Sequence, residues 1–140
     1  MSDHLKIRVA KDAGFCFGVR DAIEKAREVA QEHGKVYMLG DIVHNERVVK
    51  DLAQENVKVV DSLAEVKNAP VLFRAHGTIP ELWVEAGRKD LTIVDATCPL
   101  VHEIHDEIKK LDVEGRKLII IGDHGHDEVV AIRAQVTEAT

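Results

Sequence analysis

Repeated βαβ units with a mainly parallel sheet, an α/β fold, are what this sequence predicts. Three features carry that reading. Short apolar runs recur at intervals along the chain. Between them, apolar residues return at helical three- and four-residue spacing. Glycine, proline or a capping residue stands at many of the changes from one pattern to the other. Strand alternating with helix implies parallel pairing, because a parallel partner is reached only through a crossover connection.

Taken in order, LKIRVA (5–10) alternates and predicts a first strand. Val19, Ala22, Ile23, Ala26, Val29 and Ala30 then line one helical face, and Gly34 supplies the C-terminal cap. VYML (36–39) is the second strand. Val48, Val49, Leu52 and Ala53 mark a helix that stops near Asn56. VKVV (57–60) is the third strand, followed by a short helical piece, SLAEV (62–66). PVLFRA (70–75) predicts the fourth, closing at His76 and Gly77. Pro80, preset for a first helical turn, opens a helix over ELWVEAGRK (81–89). LTIVD (91–95) is the fifth strand. Pro99 cannot continue a ladder and starts a helix whose apolar face is Val101, Ile104, Ile108 and Leu111. KLIIIG (117–122) predicts a sixth strand, and a last helix begins near Asp127.

The 140 residues suffice for an ordinary domain with a real core, and 45% hydrophobic with 31% charged residues fits a folded globular chain. A net charge of −6 argues against a nucleic-acid face as the main function. No apolar run reaches the roughly 20 residues that span a bilayer, so no membrane role is expected. MSDHLKIRVAKDAG has the marks of neither a signal peptide nor a transit peptide. The cytoplasm, where thiols stay reduced, is the expected compartment.

The reactive side chains fall in a pattern. Cys16 follows the first predicted strand, His44 the second, His76 the fourth and Cys98 the fifth. His126 and Glu128 follow the sixth. In a parallel α/β sheet the strand ends that lead into helices share one edge, and ligands bind there. The sequence therefore predicts these six residues on a common edge. Gly14 and Gly18 flank Cys16, and AHG and GDHGHDE set glycine beside histidine, which lets backbone approach a ligand. Histidines with backbone N–H groups suit an anion such as a phosphate or diphosphate. Neither GxxxxGK[ST] nor GxGxxG is present, so a nucleotide is not indicated.

Each feature also has a plainer reading. Two cysteines with no CxxC pair are, by count alone, two buried thiols. His4, His33, His102 and His105 read as surface residues. The i, i+3 spacing of His102 and His105 could hold a metal, but a solvated helix face accounts for it. His124 stays open, since GDHGH offers two histidines for one inward position. Asp95 could hydrogen-bond its own turn or cap the next helix, and Glu128 could complement a helix dipole.

GFCFGV (14–19), VHN (43–45), RAHG (74–77), DATCPLV (95–101) and GHDEV (125–129), in that order, resemble the LytB-type 4-hydroxy-3-methylbut-2-enyl diphosphate reductases. These catalyse the last step of the methylerythritol phosphate isoprenoid pathway. The likeness runs over roughly residues 6 to 135. It implies three similar α/β domains in a trefoil, of which residues 1–96 would be the first and 97–140 the start of a second. It implies a 4Fe–4S cluster held by three cysteines, with Cys16 and Cys98 as two of them. His44, His76 and His126 would hold the substrate diphosphate, and Glu128 would pass protons. The reaction removes an allylic hydroxyl as water with two electrons, giving isopentenyl and dimethylallyl diphosphate. A ferredoxin or flavodoxin-type protein would supply the electrons.

The sequence departs from the family in two respects. The family element after the glutamate reads like HPEVxGxxGQ; here Asp127 stands for the proline, and Ala131 and Ala134 for the glycines. Family chains are also about twice as long, and their third cysteine comes from the other half. The expectation is a fragment, a truncated gene product, or a site completed by another chain. Two other classes fit the same residues: a zinc hydrolase with Glu128 as base, and an inactive remnant or interaction module. Iron with acid-labile sulfide would mark the reductase, and zinc without sulfide the hydrolase.

Overall fold

A computed structural model describes residues 6–43 and 45–137. Its centre is a four-stranded, all-parallel sheet built from β1 (Val36–Leu39), β2 (Val57–Val60), β3 (Val71–Phe73) and β4 (Ile93–Asp95), in the order β2-β1-β3-β4. The helices are α1 (Phe17–His33), α2 (Glu46–Gln54), α3 (Pro80–Arg88), α4 (Pro99–Val113) and α5 (Asp127–Arg133), with a 3-10 turn at Leu63–Glu65. The α/β fold class is thus the predicted one. Among the described residues, no helix is long and apolar enough to cross a membrane.

Alternation along the strands makes two apolar faces. Val36, Met38, Val57 and Leu72 pack with Ala22, Ile23, Ala26 and Leu52 of α1 and α2. Tyr37, Val60, Val71 and Phe73 pack on the opposite side with Leu63, Ala86 and Trp83. Both faces of the short strands are covered, so they read as continuous apolar runs. Phe73 is completely buried, and Trp83 meets it edge-on, with ring centroids 4.8 Å apart. Local signals set the element ends. Gly34 at φ 75° caps α1. Asn45 Oδ1 accepts the Arg47 and Val48 amides at the start of α2. Ser62 and Glu65 form a capping box around the 3-10 turn.

Two predicted strands do not form. Residues 6–10 carry no strand, and within 117–121 only Leu118 takes part in a β-bridge. Ile7 and Val9 are 76% and 79% exposed; Ile119 and Ile121 are 79% and 94% exposed. The alternation of 5–10 and the apolar run 118–121 both suit a covered sheet face, and among the described residues nothing covers these side chains. A strand without a partner and an apolar cover is not stable in water. Cys16 and His126 consequently do not arrive from strand exits of this sheet. They come from the loops that enter α1 and α5.

Candidate active site at the exit edge of the sheet

The strand order turns back between β1 and β3. This is the topological switch point at which α/β sheets bind ligands. The segment leaving β3 carries Arg74, Ala75, His76 and Gly77. The segment leaving β4 carries Asp95, Ala96, Thr97 and Cys98. The two segments stay paired beyond the strands. Ala96 N–H donates to Phe73 O at 2.9 Å, and Cys98 N–H donates to Ala75 O at 3.0 Å. Cys98 is thereby fixed beside the residue that precedes His76.

The DATC turn is tied down by its aspartate. Asp95 Oδ1 accepts the Thr97 amide at 2.9 Å. Asp95 Oδ2 lies 2.9 Å from His102 Nε2, one turn into α4. Lys25 Nζ of α1 donates to the Asp95 carbonyl at 2.7 Å. Asp95 therefore holds its turn, and His102 pairs with it instead of serving a metal site with His105.

Cys16 and Cys98 occupy equivalent positions. Each is the residue before a helix, α1 or α4, and neither side chain caps its own helix. Gly18 lets Cys98 approach the start of α1. A Cβ on Gly18 would lie 2.6 Å from Cys98 Sγ and 2.9 Å from Cys98 Cβ. The Cys98 thiol thus rests on the helix backbone two residues beyond Cys16, in space that exists only because residue 18 lacks a side chain. The sequence suggested that this glycine admits a ligand, whereas the group it admits is the second cysteine. Cys16 is exposed and Cys98 half-buried.

The histidines complete the edge. His76 and His126 face each other edge-on, with ring centroids 6.0 Å apart at 84°. His126 precedes α5, and its Nδ1 accepts the Glu128 amide at 3.3 Å. An Nδ1 acceptor leaves the ring proton of neutral His126 on Nε2. Glu128 is half-buried in the first turn of α5. His124 is exposed. His44 lies outside the described residues.

His105 differs from its reading as a surface residue. It is 5% exposed, and a Cβ on Gly77 would lie 2.7 Å from its ring. Its Nε2 has no hydrogen-bond partner among the described residues. Burial holds its pKa below the ordinary histidine value; Lys109 and His102 add to this, and Asp106 and Glu128 oppose it. A neutral imidazole from α4 therefore packs under the turn that carries His76.

Sequence reasoning also missed Arg74 and Gln135. Arg74 Nη1 and Nη2 each lie 2.7 Å from the Asp127 carboxylate. Gln135 Nε2 donates to Ala131 O at 3.0 Å and to Thr78 O at 3.4 Å. A charged residue directly after an all-apolar strand was the signal for the first. The signal for the second was its match to the closing glutamine of the HPEVxGxxGQ pattern.

The chemistry of the donor set bears on a metal cluster. Two cysteines beside two helix N-termini, with the second seated in a glycine cradle, fit two thiolate ligands of one iron–sulfur group. Among the described residues, no three His, Cys, Asp or Glu side chains converge as a metal site. The described residues thus fit part of such a centre.

Comparison with known proteins bears on the family of the chain. The family model described as LytB protein matches residues 7–140. A 4-hydroxy-3-methylbut-2-enyl diphosphate reductase of Geobacter metallireducens is 41% identical over 128 residues, 91% of this chain and 45% of that protein. The Bacteroides thetaiotaomicron protein of the same name is 39% identical, over 94% of this chain and 47% of its own length. A solved Plasmodium falciparum E-1-hydroxy-2-methyl-but-2-enyl-4-diphosphate reductase superposes with TM-score 0.85 at 33% identity, covering 89% of this chain and 40% of that one. A second solved structure, of (E)-4-hydroxy-3-methyl-but-2-enyl diphosphate reductase, gives TM-score 0.80 at 36% identity, over 92% of this chain and 46% of its own. The chain spans about half the length of the curated relatives it matches. With the match extending from residue 7 to the last residue, the chain belongs to the LytB protein family.

Proposed function

We propose that this chain carries the first two cluster thiolates and the diphosphate-binding histidines of a 4-hydroxy-3-methylbut-2-enyl diphosphate reductase. The observation that carries the proposal is the seat of Cys98 Sγ on Gly18, two residues from Cys16. Cys16 and Cys98 would hold a 4Fe–4S cluster together with a third ligand from a further polypeptide segment. Two features support that segment: the sequence holds two cysteines only, and Ile7, Val9, Ile119 and Ile121 lie uncovered. Residues 1–96 then form one unit, containing the whole described sheet, and 97–140 begin the next.

In this reading His44, His76 and His126 bind the diphosphate, so that anchoring a remote group orients the reacting carbon. The allylic C–O bond breaks, two electrons and two protons enter, and water leaves with isopentenyl or dimethylallyl diphosphate as the other product. When bound, the cluster supplies the low-potential electrons that side chains lack. Glu128 holds the proton that converts the departing oxygen into water. Its amide is tied to His126, which keeps the acid and the diphosphate anchor on one rigid turn. The electrons come from a ferredoxin or flavodoxin-type donor, and the protein works in the cytoplasm.

The test uses the chain joined to, or mixed with, the remaining half of a family protein under anaerobic conditions, with iron, sulfide and turnover measured together. Cys98→Ser should remove or destabilise the cluster. Glu128→Gln should leave iron and sulfide unchanged and slow turnover about 10²–10⁴-fold. An unaffected rate in Glu128→Gln would take that residue out of the mechanism. Zinc without sulfide would overturn the reductase reading.

A further inference from the structure

Helix α5 carries His126 at its entry and Glu128 in its first turn, yet it has little packing of its own. It is seven residues long, and Ala131 is its one fully buried side chain. Something else must fix its position, because a helix this short is not stable alone. The structure assigns that work to Arg74 and Asp127: we propose that this ion pair is a positioning clamp that sets His126 and Glu128 against His76.

The geometry favours a clamp over an ordinary surface pair. Asp127 Oδ2 accepts from Arg74 Nη1 and Oδ1 from Nη2, both at 2.7 Å, so the contact is bidentate and fixes an angle as well as a distance. The two side chains are 24% and 28% exposed, and every other Lys or Arg ion pair among the described residues is more open. Exposed pairs contribute little; a partly buried, bidentate pair holds its geometry. The partners are well placed for the task. Arg74 leaves β3 two residues before His76, and Asp127 stands between His126 and Glu128. The pair therefore spans the same gap as the His76–His126 contact.

Gly40, at the exit of β1, gives the guanidinium its room. Its φ is 72°, and a Cβ there would lie 2.6 Å from Arg74 Nη1. The clamp is thus seated between β1 and β3, at the switch point itself. At the other end of α5, the Gln135 contact to Thr78 O holds the chain to the segment leaving β3. Asp127 is the first residue of α5. That is a position where proline presets the backbone without any partner, and proline stands there in the family pattern. In this chain a tertiary ion pair takes over the local constraint.

The placement of α5 can be tested without any ligand, and so without the reductase reading, on the full 140-residue chain. With histidine labelled in the ring, the nuclear Overhauser contact between His76 and His126 and the amide exchange of α5 would be followed. Asp127→Asn and Arg74→Gln should each abolish the ring contact and speed α5 exchange about tenfold or more, and the double variant should be no worse than either alone. Asp127→Pro should restore the contact, which keeps the test valid if loss of charge disturbs folding. Titration with inorganic diphosphate adds the link to function: binding about tenfold weaker in Asp127→Asn and recovered in Asp127→Pro. If the wild-type chain binds no diphosphate, the proposed ligand is wrong while the ring contact still decides the clamp. An unchanged ring contact and unchanged exchange in both single variants would overturn the clamp.

Discussion

Residues 36–95 and the stretches that flank them hold their shape by different means. The first region is a sheet with apolar cover on both faces, and its central side chains, such as Val36, Leu72 and Phe73, are fully buried. In the flanks, residues 6–16 and 114–126 form no helix or strand, and Ile7, Val9, Ile119 and Ile121 lie open to solvent. The proposed chemistry draws on both regions. His76 and Cys98 leave the sheet, while Cys16 and His126 end the flanking loops. Where burial does not fix a residue, single contacts do: Gly18 with Cys98, Arg74 with Asp127, Gln135 with Thr78. A rigid sheet thus presents one half of the site, and a few specific ties bring the other half to it.

The contrast breaks most sharply at its extremes. Phe73→Ala should cost about 3–5 kcal/mol of stability in urea unfolding, because a buried aromatic leaves a cavity. Ile121→Ser, at a residue 94% exposed, should stay within about 0.5 kcal/mol. Comparable losses at the two sites would mean that the flank is packed as tightly as the sheet.

Between these lies Gly18, where the regions touch. Gly18→Ala places a methyl group 2.6 Å from Cys98 Sγ and should cost about 1–3 kcal/mol by overpacking. It should also change the alkylation rate of Cys98 far more than that of Cys16. Equal changes at both thiols would mean that the contact is incidental.

The smallest effect is a pH slope. His105 in the folded chain has its pKa lowered, first by burial. The unfolded chain then binds a proton more readily than the folded one. The stability that His105 contributes is fully present above the unfolded value of about 6.5 and is lost as pH falls through the lower folded value. Unfolding free energy should decline below about pH 6.5 with a slope of at most about 1.4 kcal/mol per pH unit from this group. His105→Asn should remove that component. A slope unchanged in the variant would assign it to other residues.

Much of this was legible in the sequence. The four strands of the sheet follow from short apolar runs and α1, α2 and α4 from helical periodicity, while α3 was read from Pro80 and α5 was placed near Asp127; Pro80, Pro99 and Gly34 mark element ends where they were read. The runs at 5–10 and 117–122 misled for a physical reason. The first alternates and the second is continuously apolar, but either pattern reports suitability for a covered sheet face, not the presence of a cover. The site was legible where one residue type in one turn carries the signal, as with His76 and Cys98. Residues that act across long sequence separations left marks that name no partner. Arg74 and Asp127 are ordinary charges until the fold brings them together, and His105 looks solvated until Gly77 lies against it.

The central claim is that the Cys16 and Cys98 thiols belong to one site. A trivalent arsenical such as phenylarsine oxide forms a stable cyclic adduct only with two neighbouring thiols, and its binding to the reduced chain can be counted by mass spectrometry. One tightly held equivalent is expected for the wild-type chain, and none of comparable affinity for Cys16→Ser or Cys98→Ser. Undiminished tight binding in either single variant, or two independent weak adducts in the wild type, would contradict the account.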